Sequence, residues 1–324
     1  MCTAATYLTD HFFFGRNLDY ERGFGERVTV TPRSFPLPMR HLNELTQHYA
    51  MIGMASVQAG YPLYYDAVNE KGLCVAGLNF VSSAVYRPCP AEGRGVAQFE
   101  LIPWLLGSCA GVDEACRLLE GVCITDDAFL PGLPPAKLHW LLADRTGALA
   151  AEPMADGLRL YENPVGVLTN NPPFDRQLPG LSWYMQLSAK PPENRFSSAL
   201  PLRADSRGMG AVGLPGDWSS QSRFVRAAFA RMNSVRGGSD KQCVAQLLHI
   251  LGTVAQPAGC CELSPGVYEK TIYTACWNAD RGDYYYTTYD DPALHVVSLH
   301  HEDLDGRNLI RYPLQTQPQI FRHN

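Results

Sequence analysis

The residues of this chain best suited to chemistry stand at its beginning: Met1-Cys2-Thr3, followed by Gly15-Arg16-Asn17-Leu18-Asp19-Tyr20. A cysteine at position two becomes the free N-terminus once Met1 is trimmed, and its small side chain permits that trimming. It then carries a thiol and an α-amine on adjacent carbons, titrating in unperturbed peptides at about 8.5 and about 7.7–8.0 respectively. Such a residue is a nucleophile with its own general base and needs no histidine. A nearby Arg16 would favour the thiolate, and the Asp19 carboxylate could hold the amine by hydrogen bonding. Each has a plainer reading when taken singly. Any cysteine can fall at position two, and Arg16 and Asp19, three apart at a strand end, could form a surface ion pair of little consequence.

The elements that must position these groups can be read from periodicity. Residues 2–8 and 11–18 read as two strands joined by Thr9-Asp10, a hairpin that returns Arg16 and Asp19 towards Cys2. Further strands are expected at 28–31, stopped by Pro32, and at 49–54, 63–66 and 73–79, the last two joined by the turn Asn69-Glu70-Lys71-Gly72. Residues 34–47 read as a loop. The spacing then becomes helical over 98–106 and 112–120. The loop 129–135 is unusually apolar, serving either the core or the wall of an apolar pocket. A hairpin of strands 138–143 and 148–153 turns at Asp144-Arg145-Thr146-Gly147. Strands 158–162 and 165–169 follow, then an irregular stretch to about residue 213. Helices are expected at 223–232 and 241–254, and closing strands at 271–277, 284–288 and 294–299. With no repeat or linker to divide it, residues 1–324 read as one α+β domain.

Composition narrows the function. The 324 residues are 46% hydrophobic and 18% charged, enough to bury a sizeable core. The net charge is −5 with no basic cluster, which argues against nucleic acid as a partner. Phe12-Phe13-Phe14 is too short and lacks the preceding positive charge of a signal peptide. No window nears 18 unbroken apolar residues, so no membrane span is expected and the protein reads as cytoplasmic. Ten cysteines contain no Cys-x-x-Cys, and none has a histidine at zinc-finger spacing. In a reducing compartment they would be small buried hydrophobes. Neither a metal nor a cofactor is indicated.

Taken together, the motifs resemble the choloylglycine hydrolase family of N-terminal nucleophile hydrolases, which contains conjugated bile acid hydrolases and penicillin V acylases. The resemblance rests on Cys2-Thr3 and Gly-Arg-Asn-Leu-Asp (15–19), on Asn69-Glu70-Lys71-Gly72-Leu73, and on Gly77-Leu78-Asn79-Phe80. It continues through Leu168-Thr169-Asn170-Asn171-Pro172-Pro173-Phe174-Asp175, Gly213-Leu214-Pro215-Gly216-Asp217, Ser222-Arg223-Phe224 and Tyr286-Thr287-Thr288-Tyr289-Asp290. Each motif is weak alone, but their order is specific and covers nearly the whole chain.

The resemblance implies a four-layer αββα sandwich of two antiparallel sheets, and catalysis by Cys2, Arg16, Asp19, Asn79, Asn170 and Arg223. Cys2 would attack, Asp19 would orient its amine, and Arg16 would stand beside the thiol. Asn79 and Asn170 would supply amide N–H groups to an oxyanion, and Arg223 would hold the constellation. The family's substrate positions fall on Leu18, Tyr65, Phe129 and Leu133, which would face a steroid. Tyr65 is bulkier than its counterpart in some members. Ser206-Arg207-Gly208 resembles the triplet of members that prefer taurine conjugates, so Arg207 is a candidate reader of the leaving amine. Asparagine at position 79, where the penicillin V acylase branch often has tyrosine, favours bile salts. Penicillin V or another N-acyl amide is the alternative substrate, and retention of Met1 would leave a steroid binder without catalysis. A homotetramer is the family's expected assembly.

Overall fold

The N-terminal hairpin is covered on both faces. In the computed structural model, which describes residues 1–91, 93–318, 320 and 322–324, β1 (Cys2–Leu8) pairs antiparallel with β2 (Phe12–Tyr20), Cys2 opposite Leu18 and Ala4 opposite Arg16. Every residue from Cys2 to Tyr7 and from Phe12 to Asp19 is buried.

The chain continues through β3 (Arg27–Thr31), β4 (Met51–Gln58), β5 (Tyr61–Asn69) and β6 (Cys74–Asn79). Helices α1 (Leu101–Ser108) and α2 (Val112–Leu119) follow, flanked by a short parallel pair, β7 (Arg94–Ala97) and β8 (Val122–Thr125). Next come β9 (Leu138–Asp144), β10 (Gly147–Met154), β11 (Gly157–Glu162), β12 (Val167–Leu168) and α3 (Phe174–Gly180). After an irregular stretch come α4 (Ser220–Asn233), α5 (Asp240–Gly252) and the small hairpin β13 (Glu262–Ser264) and β14 (Val267–Tyr268). The last strands are β15 (Lys270–Asn278), β16 (Asp283–Thr288), β17 (His295–Ser298) and β18 (Ile310–Pro313).

Two antiparallel sheets result, one in the order β12-β1-β2-β15-β16-β17 and the other β11-β10-β9-β6-β5-β4-β3-β18. They face one another across a core that includes Phe14, Val28, Ile52, Leu141 and Trp277, with Phe224 and Leu247 from α4 and α5 closing the outer side of the first sheet. The outer side of the second is covered by α1 and α2 over Trp104, Leu105, Ala115, Trp140 and Leu142. Burial of these apolar faces supplies the main stabilisation. The order of layers is helix, sheet, sheet, helix, as expected. Gly15 permits the close seating of α5: a methyl there would lie 2.7 Å from the Ala275 carbonyl and 2.9 Å from Leu251.

Some expected boundaries move. β4 and β5 form one long hairpin through residue 69, turning at Ala59-Gly60, both at positive φ. Two consecutive left-handed residues fit the tight hairpin turn whose twist matches the strands, although Ala-Gly is a weak signal for it. The first helix begins at Leu101, not at residue 98: Ala97 ends β7, and the Glu100 carboxylate accepts from the Ala97 and Arg40 N–H groups at the turn between them. The fourth begins at Ser220, capped by the Ser219 hydroxyl, so Arg223 lies inside its first turn and not before it. Short strands β7, β8, β13, β14 and β18 were not expected. Among the described residues no helix is long and apolar enough to cross a membrane.

Candidate active site

The ends of β1, β2, β6 and β12 and the first turn of α4 converge on Cys2. Its backbone nitrogen donates to Asn170 Oδ1 at 2.9 Å. Arg223 Nη2 donates to the same oxygen at 2.7 Å, while its Nη1 reaches the Cys2 carbonyl and the Thr3 hydroxyl, both at 2.6 Å. Arg223 is wholly buried, and burial pulls its pKa down against the pull of Asp19 and Cys2. Asn170 Nδ2 donates to the Asn79 carbonyl at 2.7 Å, and its backbone N–H donates to the Ser220 hydroxyl at 2.8 Å. Four of the expected residues, Cys2, Asn79, Asn170 and Arg223, are thus joined in one hydrogen-bonded cluster.

Asp19 is also fully buried. Its carboxylate accepts from Thr271 Oγ1 at 2.6 Å and Gln256 Nε2 at 3.2 Å, and stands 3.9 Å from Arg223. The hydrogen-bond acceptor for the Cys2 nitrogen is therefore Asn170, with Asp19 one step behind in the same charged network. The surface ion pair considered for Arg16 and Asp19 is overturned: neither is at the surface, and Arg16 pairs with Asp66 at 3.3 Å. Asp66 also receives Tyr273 at 2.5 Å, Tyr284 at 3.2 Å and the Met54 N–H at 3.2 Å. Burial pushes the Asp66 carboxyl up, opposed by Arg16 and these donors. Burial likewise opposes the Arg16 charge, yet Tyr273, Cys2 and Asp66 outweigh it and hold the guanidinium above its ordinary pKa. Arg16 Nε and Nη2 have no hydrogen-bond partner among the described residues.

Met1 occupies the strand position before the nucleophile. Its carbonyl accepts from the Asp19 N–H at 2.9 Å, its ammonium donates to the Asp19 carbonyl at 2.8 Å, and the ammonium also meets the Glu269 carboxylate. In this form the Cys2 nitrogen is an amide and has no lone pair to act as a base.

The expected substrate positions divide. Leu18 lies opposite Cys2 in the hairpin, and the Tyr65 carbonyl accepts from Arg16, which places both beside the cluster. Phe129 instead packs against Tyr61 and Phe99 in the second core. Leu133 and Arg207 are exposed, and neither shares a hydrogen bond or ion pair with the cluster among the described residues. Asp66, Thr271, Gln256 and Ser220 were not anticipated; a lone Asp at the end of an apolar strand run was the available signal for the first. No group of three or more metal-ligating side chains occurs among the described residues.

A model of the linear amide C–N hydrolases, choloylglycine hydrolase family, matches residues 2–312. The chain belongs to the choloylglycine hydrolase family. A bile salt hydrolase/transferase of Lactiplantibacillus plantarum is 49% identical over 324 residues, the full length of both chains. Another from Clostridium perfringens is 33% identical, covering 96% of each. Among solved structures, the C2A mutant of a conjugated bile acid hydrolase from Clostridium perfringens superposes with a TM-score of 0.94 at 32% identity, covering 100% of both chains. A penicillin V acylase from Agrobacterium tumefaciens shares the fold, with a TM-score of 0.77 at 21% identity over 97% of this chain and 92% of its own. As a choloylglycine hydrolase, the chain is an enzyme acting on linear amides.

Proposed function

We propose that this choloylglycine hydrolase cleaves the amide of glycine- and taurine-conjugated bile salts, releasing the bile acid and the amino acid through a Cys2 thioester. Removal of Met1 gives Cys2 a free amine. Sγ attacks the amide carbon as the thiol proton passes to that amine, and the oxyanion takes N–H groups from the Asn79 and Asn170 amides. Collapse breaks the C–N bond, and the Cys2 ammonium protonates the leaving nitrogen. Water, deprotonated by the same amine, then attacks the thioester, and the carboxylic acid leaves as the thiol is restored.

The observation that carries the reading is the buried cluster in which Asn170 Oδ1 receives both the Cys2 nitrogen and Arg223. The bile salt is supported by the relatives' names over full-length matches, by asparagine at position 79, and by the apolar Leu18 and Tyr65 beside the cluster. Penicillin V remains the competing substrate, and its acylase shares only the fold. No cofactor enters this chemistry. The chain is read as one domain because β15 and β16 extend the sheet begun by β1 and β2. A homotetramer is the assembly the family resemblance implies, and Trp183, Met185, Phe196 and Val212 are exposed apolar side chains in and around the irregular stretch. A cytoplasmic location is consistent with reduced, unpaired cysteines.

The test is kcat/KM for glycocholate, taurocholate and penicillin V. Bile salts should lead by a wide margin, and parity or reversal moves the assignment to an acylase. The ratio of taurocholate to glycocholate should fall several-fold in Arg207→Ala, on the order of the 1 kcal/mol of an exposed charged contact. An unchanged ratio removes Arg207 from substrate recognition.

A further inference from the structure

One buried acid–base pair touches the neighbours of both candidate oxyanion donors and has no part in the steps above. His139 on β9 is fully buried, and its ring stacks on Phe80, the residue after Asn79, with centroids 4.2 Å apart and planes at 5°. Its Nε2 lies 2.9 Å from the carbonyl of Thr169, the residue before Asn170, and its Nδ1 lies 2.9 Å from Glu152 Oε1. A carbonyl only accepts, so Nε2 must carry the hydrogen. Glu152, also fully buried, receives the Phe174 N–H at 3.1 Å on each of its oxygens. The pair therefore grips both ends of the 169–174 segment that carries Asn170. The stacked ring joins that segment to the end of β6 that carries Asn79. Gln177 holds the segment independently, donating to the Asn170 carbonyl at 2.5 Å and the Pro172 carbonyl at 2.6 Å.

We propose that His139, oriented by Glu152, is a positioning residue that sets the separation of the Asn79 and Asn170 amides, and so the geometry of the oxyanion site. The inference rests on the amidase reading above. An oxyanion site acts only when its donors sit where the charge develops, and a displacement near 1 Å can cost about 100-fold in rate. Polar groups that are buried, paired and fully satisfied are suited to fixing such a distance.

The test uses His139→Phe, which keeps the stack and removes both hydrogen bonds, and Glu152→Gln, which keeps the volume and removes the charge. Turnover of glycocholate and alkylation of Cys2 by iodoacetamide are measured on each folded variant. Alkylation needs the thiol but passes through no oxyanion. Expected is a fall in kcat of about 10- to 100-fold, with KM and the alkylation rate within about threefold of wild type. A kcat within threefold of wild type overturns the proposal. So does alkylation falling by the same factor as kcat, which marks a general loosening of the site. If neither variant folds, the pair is structural and the proposal falls. Wild type with no turnover of any linear amide sinks the functional reading and this inference with it, whereas variants with wild-type kcat sink the inference alone.

Discussion

Asn170 is the residue whose substitution separates the functions packed into the cluster. In Asn170→Ala, the Cys2 nitrogen and Arg223 Nη2 lose their shared acceptor, and the Asn79 carbonyl loses its donor. Each buried group left unsatisfied costs about 1–3 kcal/mol, less where water enters the small cavity. A destabilisation of about 2–4 kcal/mol is expected, read from urea unfolding. Catalysis loses an oxyanion donor, about 10²–10³ in rate, and also the group that aims the Cys2 nitrogen, so kcat should fall at least about 10³-fold. Asn170→Asp divides these effects. The carboxylate can still accept from Cys2 and from Arg223, now with opposite charge, so stability should suffer less than in the alanine variant. It has no N–H for the oxyanion and turns an acceptor towards the Asn79 carbonyl, so kcat should be as low as in the alanine variant. Glycocholate turnover beside urea melts decides the matter. An aspartate variant that keeps more than a tenth of wild-type kcat would refute Asn170 as the oxyanion donor.

Arg16→Leu should leave Asp66 buried without its cation and cost about 3–5 kcal/mol, while the double variant with Asp66→Asn should recover part of that loss; unfolding curves showing no recovery would break the link between the two. Burial pushes the Glu100 carboxyl up to about 7, against about 4.3 in an unfolded chain. A raised carboxyl pKa contributes stability that is present in full below about 4.3 and lost as pH rises through about 7. The Tm of wild type should therefore fall relative to Glu100→Gln between about pH 4.3 and about pH 7 and run parallel above it, and curves parallel throughout would place the titration elsewhere.

Periodicity made individual elements legible wherever one presents a clean face, while the layering came from the family resemblance. The hairpin of β1 and β2, the turn at Asp144-Arg145-Thr146-Gly147 and helix α2 lie where apolar spacing and turn chemistry place them. Strands of two to four residues such as β13 and β14 carry too few alternations to be seen. The site was legible in its motifs but not in its pairings. Spacing put Arg16 beside Asp19, yet β2 is covered on both faces, and Arg16 finds its carboxylate in the opposite sheet at Asp66. Phe129 carried no mark separating core from pocket wall, and it packs against Tyr61 and Phe99. His139 and Glu152 read as ordinary strand residues because their partners lie 30 and 22 positions away along the chain.

The claim on which all the rest depends is that Cys2 acts as a free N-terminal nucleophile. Intact-mass measurement of the purified protein, paired with glycocholate turnover on the same sample, tests it most directly. The account predicts a chain lighter by one methionine residue, active as isolated, and inactive once iodoacetamide has modified Cys2. Full activity in a chain that retains Met1 would contradict it, because the amide nitrogen that Cys2 then carries cannot serve as the base.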